Sequence, residues 1–152
     1  MAVTDVYSAR PHHLRGEVRE IPTRQGATTL AYAPDLDGKA DPGEIVWTWV
    51  PYEEDPTQGK DRPVLVVGHR GRRLQGLMLS SKEPDHWEEH DWFELGEGPW
   101  DRSGRESYLC LDRLFDFDED DIRREGAVLD GERFVRVALA LQQRYGWEAG
   151  TA

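Results

Sequence analysis

The residues able to do chemistry in this sequence fall into a few short patterns. His86-Trp87-Glu88-Glu89-His90 matches the H-x-x-E-H zinc spacing, in which two histidines on one helical turn hold the metal and a glutamate activates water. That chemistry needs a helix and a third ligand. Pro84 precedes the motif and the strand-like Trp92–Leu95 follows at once, so 82–91 reads as a polar loop and His86 and His90 as loop residues. Asp116, Asp118 and Asp120 imitate the first ligands of a calcium loop, but Asp121 stands where its glycine should be and Ala127 where its last glutamate should be. The single cysteine, Cys110, sits between Leu109 and Leu111 and reads as a buried thiol with nothing nearby to activate it. No glycine loop of the phosphate-cradling kinds is present. The expectation is a protein needing neither metal nor cofactor.

Charge is more informative. The 152 residues carry a formal charge of −11, which excludes a nucleic-acid coat working by bulk positive charge. Yet from Arg62 to Lys82 there are five cations (Arg62, Arg70, Arg72, Arg73, Lys82) and no acid. The next stretch, Glu83 to Asp101, holds eight acids and no Lys or Arg. A site responds to its local field, so the cationic stretch is where an anion would bind.

The elements that must position these residues are mostly strands. Residues 1–25 are polar, without sustained period, and read as a loosely attached arm. A strand is possible at 27–33, and 34–43 is turn-rich. Residues 44–50 alternate with period two and are apolar on both faces, as in a central strand. Residues 63–69 and 73–80 form a hairpin with cations at its tip, and short strands follow at 92–95 and 106–111 before an acidic turn. One helix is clear. Asp130 is its N-cap, Leu129 and Phe134 a hydrophobic staple, Phe134, Val137, Ala138, Leu141 and Tyr145 its apolar stripe, and Gly146 its stop. Five or six short strands with one terminal helix predict a mainly β chain, a small, partly closed barrel. No run reaches the ~18 apolar residues of a membrane span, and the N-terminus lacks the apolar region of a secretory signal. A lone cysteine fits a reducing, cytoplasmic location.

The order of parts carries a resemblance. Pro-Gly-Glu-Ile-Val-Trp at 42–47 precedes Gly-Lys-Asp-Arg-Pro-Val-Leu-Val-Val at 59–67, then Leu-Met-Leu-Ser-Ser at 77–81 and Tyr-Leu-Cys-Leu-Asp at 108–112. Over 42–146 the chain resembles the MazF/PemK family, the toxins of bacterial toxin–antitoxin pairs. The resemblance implies an SH3-like β-barrel over 41–148, with 1–40 an N-terminal extension, partly flexible. It also implies a homodimer and a metal-independent endoribonuclease that cuts single-stranded RNA at specific sequences under the restraint of an antitoxin.

By the same resemblance Arg62 contacts the reacting phosphate, Ser80 orients it and Asp112 is the general base, while Arg70, Arg72, Arg73, Ser81 and Lys82 would hold RNA. The chemistry suits these types, since attack by the RNA's own 2′-OH needs a base and cationic donors for the anionic phosphate. Cys110 stands where the aspartate-using branch has an arginine, and that branch's first-loop histidine is absent. The alternatives are a non-catalytic, protein-binding member of the same fold, anchored by Trp87, Trp92 and Trp100, or a gyrase-poisoning toxin on the same barrel.

Overall fold

Alternation in Glu44–Pro51 produces β4, whose neighbours lie on both sides, β5 (Gln58–Arg70) and β9 (Arg123–Val128). The structure, a computed structural model, describes residues 8–9, 18–23, 29–30, 40–70, 73–83 and 90–149. Among them β1 is Ser8–Ala9, β2 Arg19–Ile21, β3 Thr29–Leu30, β6 Arg73–Ser80, β7 Trp92–Gly96, β8 Ser107–Asp118, α1 Gly131–Tyr145 and β10 Glu148–Ala149. An eight-stranded sheet runs β2-β8-β6-β5-β4-β9, with β1 added on β5 and β7 on β8. All its pairings are antiparallel, and β3 and β10 form a separate parallel pair.

Both faces of the sheet are buried, which explains the unbroken apolar run Val64–Val67. Ile45, Leu65, Val67, Leu77 and Leu79 share one core with Phe134, Val137 and Leu141 of α1. Val46, Val64, Val66, Leu74, Phe115 and Phe117 form a second core with Cys110. Register shifts interrupt β4/β9, β5/β6, β6/β8 and β7/β8. Such bulges bend strands and raise their twist, so the sheet can curl around a core. The helix begins as expected, with the Asp130 carboxylate accepting the Arg133 N–H, and ends at Gly146 in the left-handed conformation, φ 71°.

Three expectations change. Residues 18–23 do not form a loose arm: β2 pairs with β8 over Leu114–Asp116, Val18 is buried, and Trp147 Nε1 donates to the Thr23 carbonyl at 2.9 Å. The cause is an edge that needs covering, since β7 reaches only Ser107–Cys110 of β8. The stretch read as an acidic turn after residue 111 is mostly strand, because Leu114, Phe115 and Phe117 pair with β6 and leave only Glu119–Asp121 as a 3-10 turn. Finally, β9 was not foreseen. It shows little alternation, and the ion pair of Arg124 with the fully buried Glu44 (2.6 and 2.9 Å) fastens it to β4.

Candidate active site

Arg62 lies on β5 opposite Thr48 of β4. Across the other edge the β5–β6 ladder begins at Val64–Met78, two residues beyond Arg62, while Ser80, at the end of β6, pairs with Tyr108 of β8. Burial first, and the nearby Arg113 charge after it, lower the Arg62 pKa, against the opposing pull of Tyr52, Cys110 and Glu54. Among the described residues no carboxylate forms an ion pair with Arg62, whereas Arg73, Arg113, Arg124 and Arg133 each have one. A guanidinium drawn partly out of water without a carboxylate in direct contact is a ready anion site. The Ser80 hydroxyl, at the end of β6, accepts the Lys82 N–H at 3.2 Å and donates to the Lys82 carbonyl at 3.3 Å. Ser81 and Arg62 both line a cleft of about 200 Å³ with Trp47, Lys60, Trp100 and Arg105, and the acids Asp61 and Asp101 line it too.

The third residue is placed by a bulge. Leu77 pairs with Leu114 but Leu79 pairs with Leu109, so β8 spends three more residues than β6 over the same length. Cys110 to Arg113 therefore leave the regular alternation. Asp112 meets His90, whose Nδ1 lies 3.1 and 3.0 Å from the two carboxylate oxygens, and His90 Nε2 lies 3.0 Å from Glu53 Oε1. The Cys110 thiol donates to Asp112 Oδ1 at 3.3 Å. Burial opposes the His90 imidazolium, but hydrogen bonds to Asp112 and Glu53, with the charges of both acids, hold its pKa above the ordinary value. Burial, reinforced by Asp112, drives the Cys110 thiol far upward.

Arg62, Ser80 and Asp112 thus come from three strands; Asp112 bonds to His90 and Cys110, and Ser80 to the Lys82 backbone. Sequence reasoning missed two neighbours. His90 reads from sequence as a plain loop residue, since Pro84 and the strand at Trp92 exclude a metal-binding helix, and its partner in that motif, His86, lies outside the described residues. Arg113 had no assigned role, yet it is buried, donates to Glu20 Oε1 at 2.9 and 3.1 Å, and lies 5.0 Å over the Phe115 ring. Its only signal was adjacency to Asp112. Of the cations expected to hold RNA, Arg73 donates to Asp116 at 2.5 Å, Lys82 is exposed, Arg72 lies outside the described residues, and so does the Arg70 side chain. Trp100 is core rather than an exposed anchor, buried with its Nε1 donating to Ser107 at 2.8 Å. Trp92 is partly buried against the second core, and Trp87 lies outside the described residues.

The model of the PemK-like, MazF-like toxins of type II toxin–antitoxin systems matches residues 41–144. The chain belongs to that family. Among solved structures it is similar to the MazE–MazF crystal structure (Form II) from Deinococcus radiodurans, at 19% identity and a TM-score of 0.53, covering 72% of this chain and 98% of that one. At that identity the likeness shows the fold, a MazF-like antiparallel β-sheet with a C-terminal helix. No curated protein matches the chain. Among the described residues of this MazF-like toxin no helix is long and apolar enough to cross a membrane.

Proposed function

We propose that this MazF/PemK-family chain is a cytoplasmic endoribonuclease that cleaves single-stranded RNA at specific sequences without metal, as a homodimer restrained by an antitoxin. Residues 41–148 are the toxin domain and 1–40 its extension. The observation that carries the reading is Arg62, a part-buried guanidinium with no carboxylate ion pair among the described residues, lining a cleft with Ser81.

A scissile phosphate provides the counter-charge that Arg62 lacks, and the Ser80 hydroxyl orients it by a hydrogen bond. Asp112 takes the proton of the 2′-OH, whose oxygen attacks phosphorus. The 2′-O–P bond forms, the P–O5′ bond breaks, and the leaving 5′-oxygen takes the proton held on His90. Burial opposes the charge, but hydrogen bonds and charges from Asp112 and Glu53 outweigh it, raise the His90 pKa and so favour its protonated form. The products are a 2′,3′-cyclic phosphate and a 5′-hydroxyl end.

The test is incubation of the purified protein with single-stranded RNA in excess chelator. Discrete fragments bearing cyclic-phosphate ends are expected. Intact RNA under all conditions, together with growth arrest on expression, would shift the reading to the gyrase-poisoning alternative.

A further inference from the structure

His90, Cys110 and Asp112 bring a nitrogen, a sulfur and a carboxylate oxygen together, all within 4.8 Å of one another. Four-coordinate zinc has bond lengths of about 2.0–2.3 Å, so the edges of its tetrahedron span about 3.3–3.6 Å. Here Nδ1 and the carboxylate oxygens are 3.0 and 3.1 Å apart, and Sγ lies 3.3 Å from Oδ1. The Nδ1–carboxylate and Sγ–carboxylate edges are thus within a few tenths of an ångström of tetrahedral length, and the Nδ1–Sγ edge lies within 4.8 Å.

A second observation concerns the far side of the ring. Zinc-bound histidines usually donate their remote N–H to a carboxylate, which fixes the tautomer and aims the other nitrogen at the metal. Glu53 Oε1 stands 3.0 Å from His90 Nε2, where that outer partner belongs. A third concerns Tyr145. Its hydroxyl is the one buried side-chain polar atom without a hydrogen-bond partner among the described residues. Asp112 and Asp91 lie within its electrostatic reach. A groove of about 590 Å³ lined by Glu20, Ile21, Pro22, Thr23 and Asp112 provides an approach.

We propose that His90 Nδ1, Cys110 Sγ and Asp112 form a Zn²⁺ site, with Glu53 orienting His90, and that zinc there is a brake on the ribonuclease site. The mixed nitrogen, thiolate and carboxylate set favours zinc over magnesium or calcium. Binding replaces the protons of the Cys110 thiol and His90 Nδ1 with the metal and releases them to solvent. The brake rests on the function proposed above. Zinc occupies the carboxylate that would act as base and the imidazole that would act as acid.

The test is a titration of the full-length, metal-free protein with Zn²⁺ against a coloured chelator, with Co²⁺ as a spectroscopic probe. One equivalent should bind, and Co²⁺ should give a thiolate-to-metal charge-transfer band. Cys110→Ser should lose that band and weaken zinc binding at least tenfold. Asp112→Asn, a partly exposed position, should also weaken it at least tenfold and guards against a folding defect in the first variant. Glu53→Gln should weaken it by about 10–100-fold.

No stoichiometric binding by wild type, or equal binding by wild type, Cys110→Ser and Asp112→Asn, would overturn the site. For the brake, one equivalent of Zn²⁺ should stop RNA cleavage and chelator should restore it. Cleavage undiminished at full zinc occupancy would overturn the brake while leaving the site. A protein that binds one zinc but never cuts RNA sinks the ribonuclease reading and the brake, again leaving the site.

Discussion

At the scale of single residues, the candidate site is defined by which groups have partners. Arg62→Ala should slow RNA cleavage by about 10²–10³-fold, the usual cost of losing one donor to a developing anion. Stability should hardly fall, because a part-buried cation without a directly bonded carboxylate offers folding little net gain. Cleavage rates and thermal melts on the same preparation check both halves. A fully active variant would dismiss Arg62. Cys110 makes the opposite case, a group silenced by its surroundings. Only the thiolate is nucleophilic, and burial and Asp112 both oppose its formation. Iodoacetamide at pH 8 should therefore leave the metal-free native protein unmodified while labelling the denatured chain at once.

The sequence made Cys110 readable as a buried thiol, because Leu109 and Leu111 flank it. His90 was not readable, since its partners Glu53 and Asp112 lie 37 and 22 residues away. No local pattern marks such a meeting.

At the scale of elements, local signals and bulges divide the work. The helix boundaries could be read from Asp130 and Gly146 because caps are satisfied by neighbouring backbone. Asp130→Ala should cost about 1 kcal/mol of stability at neutral pH. Hydrogen bonds from Arg133, side chain first and backbone second, lower the Asp130 pKa. Its contribution is thus present in full above about pH 4, where the unfolded carboxylate is ionised, and is lost as pH falls through the folded value. Melts of both proteins from pH 7 down to pH 2 should converge at the acid end. A constant difference would mean that the carboxylate's charge plays no part.

The β8 bulge has no comparable signal. Read as a regular strand, Leu109 to Phe117 would put Leu111 and Leu114 on opposite faces, yet both belong to the helix-side core. The extra residues are forced by packing, since both leucines are buried against the same elements. That bulge delivers Asp112 to His90.

At the scale of the whole molecule, an acidic protein must bind RNA through local fields. Each phosphate contact on a single strand adds about 0.7 to the slope of log affinity against log salt, so the five cations from Arg62 to Lys82 limit it to a magnitude of about 3.5. Arg73 is already engaged by Asp116, which Arg19 also approaches at 3.4 Å. Its removal should lower stability more than it alters the slope. Replacing Arg70 and Arg72 together should reduce the slope by about 1.4. Binding measured from low to moderate salt decides this, and an unchanged slope would make the hairpin tip a solvated turn.

By itself the sequence determined the central strands, the cationic hairpin, the capped helix and the order of motifs that marks the family. Each of these depends on neighbours in the chain or on a repeating period. Only the tertiary structure decided that β2 closes the edge of β8, that β9 joins β4, and that Glu53, His90, Cys110 and Asp112 meet. Those contacts are made between segments far apart in sequence. They are selected by which edges and buried charges remain to be satisfied once the core has formed, and no residue states that choice on its own.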